Sequence, residues 1–225
     1  MLHAVQQSFE QIFSPPFRAI LLKSVGLTIL LLLVIGGLLF FAMDWLLGGL
    51  IASYLPESSI YGWLLGVGLG IGLAFLVGPT SSLFAGLFTD EIAEAVEKRY
   101  YAVDRPGTAQ PVPLALYTSL KFTLAVIAVN LLALLIFFLP GVNIGIFFLA
   151  NGYLLGREYF EVAALRHMSN RQVKNLRRRH GLKVFIAGLL IAGLMALPVI
   201  NILTPLFATA FMVHIFKQTA EAAPS

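Results

Sequence analysis

FLPGVNIGI (Phe138–Ile146) and ALPVINILT (Ala196–Thr204) decide how this chain folds. Both read Leu-Pro-x-(Val/Ile)-Asn-Ile, and each interrupts a long apolar stretch. Proline lacks an amide donor and blocks a helix interior. Asparagine is costly in hydrocarbon. The apolar runs around the motifs are Phe122–Leu139, Ile144–Leu155, Val184–Leu197 and Ile202–Phe216, the last with Pro205 inside it. As helices these runs are ~18–27 Å long, against a hydrocarbon core of ~30 Å. Two antiparallel hairpins, 122–155 and 184–217, fit these lengths better than four full spans. Each hairpin turns at its proline and asparagine. The freed backbone groups then need partners, in a protein-lined interior or near the far interface. Full spans joined by shallow loops are the alternative.

The rest of the chain points to a bilayer as well. It is 59% hydrophobic and only 12% charged, with a mean hydropathy of +0.89; soluble domains carry about 25% charged residues. Segments 25–47 and 63–88 are long enough to span. The predicted fold is an all-α integral membrane protein in one membrane domain. It has two long transmembrane helices, two short, partly penetrating hairpins and an N-terminal amphipathic helix. There is no cysteine, which excludes disulfides, thiol catalysis and thiolate metal sites. The first 24 residues carry Glu10, Arg18 and Lys23 and do not read as a cleavable signal peptide.

Within segment 1–24, Val5, Phe9, Ile12 and Phe13 make an apolar stripe, with Gln6, Gln7, Glu10 and Gln11 on the other side. Such a helix lies in the membrane interface, and Ser14-Pro15-Pro16 ends it. Asp44-Trp45 reads as an interfacial anchor of the first span. In the second, Gly66, Gly68, Gly70 and Gly72 let another helix approach closely, and Gly78-Pro79-Thr80-Ser81-Ser82 interrupts the inner half. Segment 89–121 is a cytoplasmic helix and connector. Its helix, TDEIAEAVEKRYY, starts with Asp90 and Glu91 and carries Lys98 and Arg99 near its end, matching the helix dipole. Glu91, Glu94 and Glu97 read as a solvated face rather than a metal site.

The charges give an orientation. None of the 15 Lys and Arg lies in 48–62, and 157–183 is rich in them. Positive loops stay cytoplasmic, so 48–62 is predicted outside and both termini inside. Segment 156–183 becomes a basic cytoplasmic segment. Its run RQVKNLRRRH (171–180) is predicted to face anionic lipid headgroups rather than nucleic acid.

Several blocks carry a family resemblance. FSPPFRAILLKSVGLTILLLL, SSLFAGLFTDEIAEAVEKR, FFLPGVN, ALPVINILTPLFATAFMVHIF and NGYLLGREYFEVAALRHMSNRQVKNLRRR, in this order and spacing, resemble the CysZ-type sulfate permease family of bacterial inner membranes. The likeness covers about 14 to 217. It implies two long spans, two hairpins, a homo-oligomer and sulfate uptake for cysteine biosynthesis. In that family a proline or glycine pair followed by two arginines is associated with sulfate. Here the match is Pro15-Pro16-Phe17-Arg18-Ala19, so Arg18 is kept and the second arginine is alanine. Lys23 is the candidate substitute, as a point charge rather than a fork.

An oxyanion crossing the membrane needs polar groups in place of its hydration. Thr80, Ser81, Ser82, Asn143, Asn151, Asn201 and Thr204 are the candidates, each equally readable as a polar residue satisfied at a turn or helix crossing. Glu161 and His214 are candidates for proton coupling. The competing reading is a non-transporting scaffold or accessory protein that binds partners or anionic lipid. No catalytic motif and no nucleotide loop occurs, so no enzyme, cofactor, metal or direct ATP drive is expected.

Overall fold

Ser14, Pro15 and Pro16 stand where one helix hands over to the next. Helix α1 runs Leu2–Ile12 and α2 runs Pro15–Ile51. Proline is favoured in a first helical turn, because its fixed φ is already helical and its missing N–H had no partner there. That is why α2 begins at Pro15, well before the apolar run from Val25. In the computed structural model, residues 1–51, 62–63, 66–73, 80, 87–109, 111, 113, 142–197, 200 and 203–221 are described. All the regular structure among them is helical. Among them, one helix is long and apolar enough to cross a membrane, at Pro15–Leu46. Only 17% of its most apolar window is buried, which is unlike the core helix of a soluble protein.

The chain divides into two compact units, 21–86 and 1–20 with 87–225. In the first, Leu73 Cδ1 lies 2.5 Å from where a Cβ on Gly36 would sit. Glycine at position 36 thus makes room for the helical stretch 66–73, which contains all four spaced glycines. The rest of the expected second span lies largely outside the described residues, as does the first limb of the first hairpin.

The second unit adds α3 (Thr89–Tyr100), α4 (Val142–Leu165), α5 (Asn170–Arg179), α6 (Gly181–Met195) and α7 (Thr204–Glu221). Helix α3 falls where its acidic start and basic end place it. Helix α4 corrects an expectation: the limb expected to end near Leu155 continues to Leu165. Gly156, Arg157 and Glu158 do not break a helix, and Arg157 Nε bonds Glu161 Oε1 at 3.0 Å one turn on, a pairing that supports the helix. The second motif does separate two helices. Helix α6 ends at Met195, α7 begins at Thr204, and Leu203 N–H donates to Ile200 C=O at 2.8 Å. Pro140, Gly141, Pro198, Val199 and Asn201 lie outside the described residues.

Helix α7 is the hub. It is buried continuously from Thr204 to Lys217, and α1, α3, α4 and α6 all pack on it. A helix that is apolar all round is one that is surrounded. Phe207 and Phe211 stack at 5.4 Å, and Phe9 of α1 meets Phe207 at 4.7 Å. Helices α4 and α6 cross at glycines. A Cβ on Gly156 would lie 2.6 Å from Val184 O, and one on Gly188 would lie 2.7 Å from Gly156 Cα and overlap Gly152 O. The Gly152-x-x-x-Gly156 spacing creates this flat contact.

Helix α1 turns its small and polar residues inward. Ala4, Ser8, Gln11 and Ile12 are buried, while Leu2, Phe9 and Phe13 are exposed. Its outer face is mixed, because His3, Gln6 and Glu10 are exposed as well and Gln6 donates to Glu10 there at 2.9 Å.

Candidate functional site

Where α1 meets α2, a groove of about 510 Å³ opens against α3. Its walls are Gln11, Ser14, Pro15 and Pro16 on one side, and Glu91, Glu94, Ala95, Lys98 and Arg99 on the other. The spacing of the second set puts those residues on one face of α3. Lys98 Nζ lies 2.5 Å from Glu94 Oε1. The Arg99 guanidinium sits 5.4 Å over the Tyr100 ring and is exposed to solvent. The groove's formal charge is therefore balanced. Arg18, one turn past Pro15 on α2, is exposed, and so are Ala19 and Lys23.

The opposite face of α3 holds a buried charge cluster. Glu97, read from sequence as solvated, is 6% exposed, and Arg166 from the end of α4 is 4% exposed. Arg166 bonds Glu97 with both arms of its fork, Nε to Oε1 at 3.2 Å and Nη2 to Oε2 at 3.3 Å. Its Nη1 reaches Asp90 Oδ1 at 2.5 Å. His167 Nε2 sits 2.9 Å from Glu97 Oε1, and Gly107 N–H donates to Oε2 at 3.1 Å. Burial alone would raise the Glu97 carboxyl. The hydrogen bonds from His167 and Arg166 outweigh it and bring the group down to about 2. Gly107 is needed where it stands, since a Cβ there would lie 2.9 Å from both Arg166 Nε and Glu97 Oε1. Thr108 N–H donates to Arg166 C=O at 2.9 Å. The connector after α3 is thereby tied to the end of α4.

The structure distributes the sequence candidates unevenly. Glu161 is engaged by Arg157, and Arg177 Nε stands 3.2 Å from its Oε1 without hydrogen-bond alignment. His214 is fully buried in α7, its Nδ1 sharing a 2.9 Å hydrogen bond with the Tyr101 hydroxyl. Its Nε2 is buried with no partner among the described residues. Thr204 Oγ1 donates to Ile200 C=O at 3.2 Å, the pairing of a residue satisfied at a helix start. Thr80 and Asn151 are half-buried. Ser81, Ser82 and Asn201 lie outside the described residues, as does the side chain of Asn143. Of the described candidates on the same unit, Asn151, Glu161, Thr204 and His214 are not among the residues that line the groove at Pro15.

Sequence reasoning missed Glu97, Arg166, His167 and Glu158. Burial pushes the Glu158 carboxyl up to about 7, with Glu161 adding to the rise and Arg157 opposing it. The available signal was an acid on the Ile92–Val96 side of α3, which faces the core.

Comparison with known proteins gives one family. No functionally curated protein matches the chain. A family model described as sulfate transporter CysZ/etoposide-induced protein 2.4 matches residues 4–205, through both α1 and the start of α7. The chain belongs to this family.

Proposed function

We propose that this protein carries sulfate or a related oxyanion across the bacterial inner membrane, supplying sulfur for cysteine biosynthesis. The observation that carries the reading is the family match, which extends over the Pro15-Pro16-Phe17-Arg18 segment. The proposed arrangement has two long spans, at 25–47 and 63–88, and two partly penetrating hairpins. Both termini are cytoplasmic and the protein is a homo-oligomer. Arg18 is the main charged contact for the oxyanion. Its fork holds two oxygens at once, with Lys23 assisting. Ala19 leaves the second cation of the family pattern missing, and Arg99, which lines the groove with Pro15 and Pro16, is an exposed guanidinium that could take its part.

Uptake of labelled sulfate into proteoliposomes tests the reading. Arg18→Lys keeps the charge and loses the fork, so anion affinity falls about ten- to a hundredfold, the range of one charged hydrogen bond. Ala19→Arg raises affinity. Unchanged sulfate binding in both variants would leave Arg18 as a topological anchor. Ala19 itself favours a second reading, a non-transporting accessory protein. That reading prevails if the reconstituted protein moves no sulfate and binds none.

A further inference from the structure

Helix α5 has two unlike faces. Val173 and Leu176 are buried, and Arg177 approaches Glu161. The helix therefore lies along the protein rather than projecting from it. Arg171, Lys174 and Arg178 recur at i, i+3 and i+7, which places them on one stripe opposite the buried residues. All three are exposed, as is Arg179, and none has an ion-pair partner among the described residues. No Asp or Glu occurs between Glu161 and Glu221 to neutralise them locally.

The next helix supplies a second, independent observation. Helix α6 begins at Gly181, directly after α5 and its cap His180. Its outward residues are Leu182, Ile186 and Leu190, exposed at 73%, 40% and 44%. Their four-residue spacing makes one apolar stripe along a helix whose other side is packed. A cationic stripe is thus followed, within one turn of chain, by an apolar stripe with no protein cover among the described residues. A nucleic acid matches only the first. A phospholipid with an anionic headgroup matches both, its phosphate toward the cations and its acyl chains along the leucines.

We propose that α5 and the start of α6 form a binding site for anionic phospholipid, with Arg171, Lys174 and Arg178 holding the headgroup and Leu182 and Ile186 the upper acyl chain. The proposal uses the membrane setting of the preceding section but not its substrate. Sulfate transport can fail with this site intact, and the reverse.

The test uses the full chain in neutral detergent, read by native mass spectrometry and thermal unfolding. Phosphatidylglycerol and phosphatidylcholine are compared at equal mole fraction. The probes for other sources are glycerol 3-phosphate and a short single-stranded DNA. The variant replaces Arg171, Lys174 and Arg178 together by glutamine. Each cation near an anionic surface contributes about fivefold to binding, so the variant should retain phosphatidylglycerol roughly a hundredfold less well. Its unfolding midpoint without lipid should match the parent, because the three side chains are exposed. A second variant, Leu182→Asn with Ile186→Asn, should weaken phosphatidylglycerol binding without changing the response to glycerol 3-phosphate. Equal binding of the two lipids, or full retention in the glutamine variant, overturns the proposal. So does glycerol 3-phosphate competing at the lipid's own concentration, which would mark a free-anion site, or DNA binding more tightly than phosphatidylglycerol.

Discussion

Glu97→Gln should destabilise the unit built on α7 and erase part of its acid sensitivity. The carboxyl is brought from 4.5 to about 2 in the folded protein. At ~1.4 kcal/mol per unit, that difference corresponds to about 3 kcal/mol of stability linked to the charged form. The sign follows from the direction. A depressed carboxyl contributes fully above its unfolded value, and the contribution is lost as pH falls through 4.5 toward 2. At pH 7 the parent should exceed Glu97→Gln by about 3 kcal/mol, and by pH 3 about 2 kcal/mol of that gap should have closed. Arg166→Met, which strands Glu97 as a buried charge without its main partner, should cost more, about 3–5 kcal/mol. Thermal unfolding in detergent across pH 3–7 reads both effects. An identical midpoint and identical pH slope for parent and Glu97→Gln would refute the reasoning, since the cluster would then contribute no net stability.

Four further outcomes are expected. Gly188→Val should separate α4 from α6 and lower the unfolding midpoint, because even one added carbon overlaps the Gly152 carbonyl; a cost of about 1–3 kcal/mol is typical of overpacking. Tyr101→Phe removes the partner of Nδ1 on the fully buried His214 and should cost about 1–3 kcal/mol by the same unfolding assay. If transport is proton-coupled, the parent should lose activity as pH rises through about 7 while Glu158→Gln shows a flat profile, because Glu158 titrates there; an unaltered profile in the variant removes it from that role. A reporter fused to the C-terminus should be active only where cytoplasmic reporters are, and an external signal ends the proposed topology.

Local features of this fold were legible, and tertiary ones were not. Helix α3 announced itself through charges placed to suit its own dipole, and its described limits, Thr89–Tyr100, follow them closely. The break between α6 and α7 was announced by Pro198 and Asn201. Glu97 was misread because it sits among Glu91 and Glu94, and the residue that explains its burial, Arg166, is 69 positions away. Hydropathy failed for α7 in a different way. A run such as LFATAFMVHIF has the same composition whether lipid or protein surrounds it, so its central position could not be read. The glycine crossing of α4 and α6 was overlooked for a related reason, since Gly152 and Gly156 gain meaning only when Gly188 lies opposite.

Burial of α7 on every side sets an order of assembly. Helices α1, α3, α4 and α6 each turn a face toward it, yet α7 is the last of the five to leave the ribosome. Until Thr204–Glu221 has been made, the four earlier helices have no common partner, and the stack of Phe207 on Phe211 does not exist. Until then, nascent chains leave uncovered the faces that α7 covers in the folded protein. A chain truncated before Thr204 would lack the centre of its fold rather than its edge, and quality-control proteases should clear it.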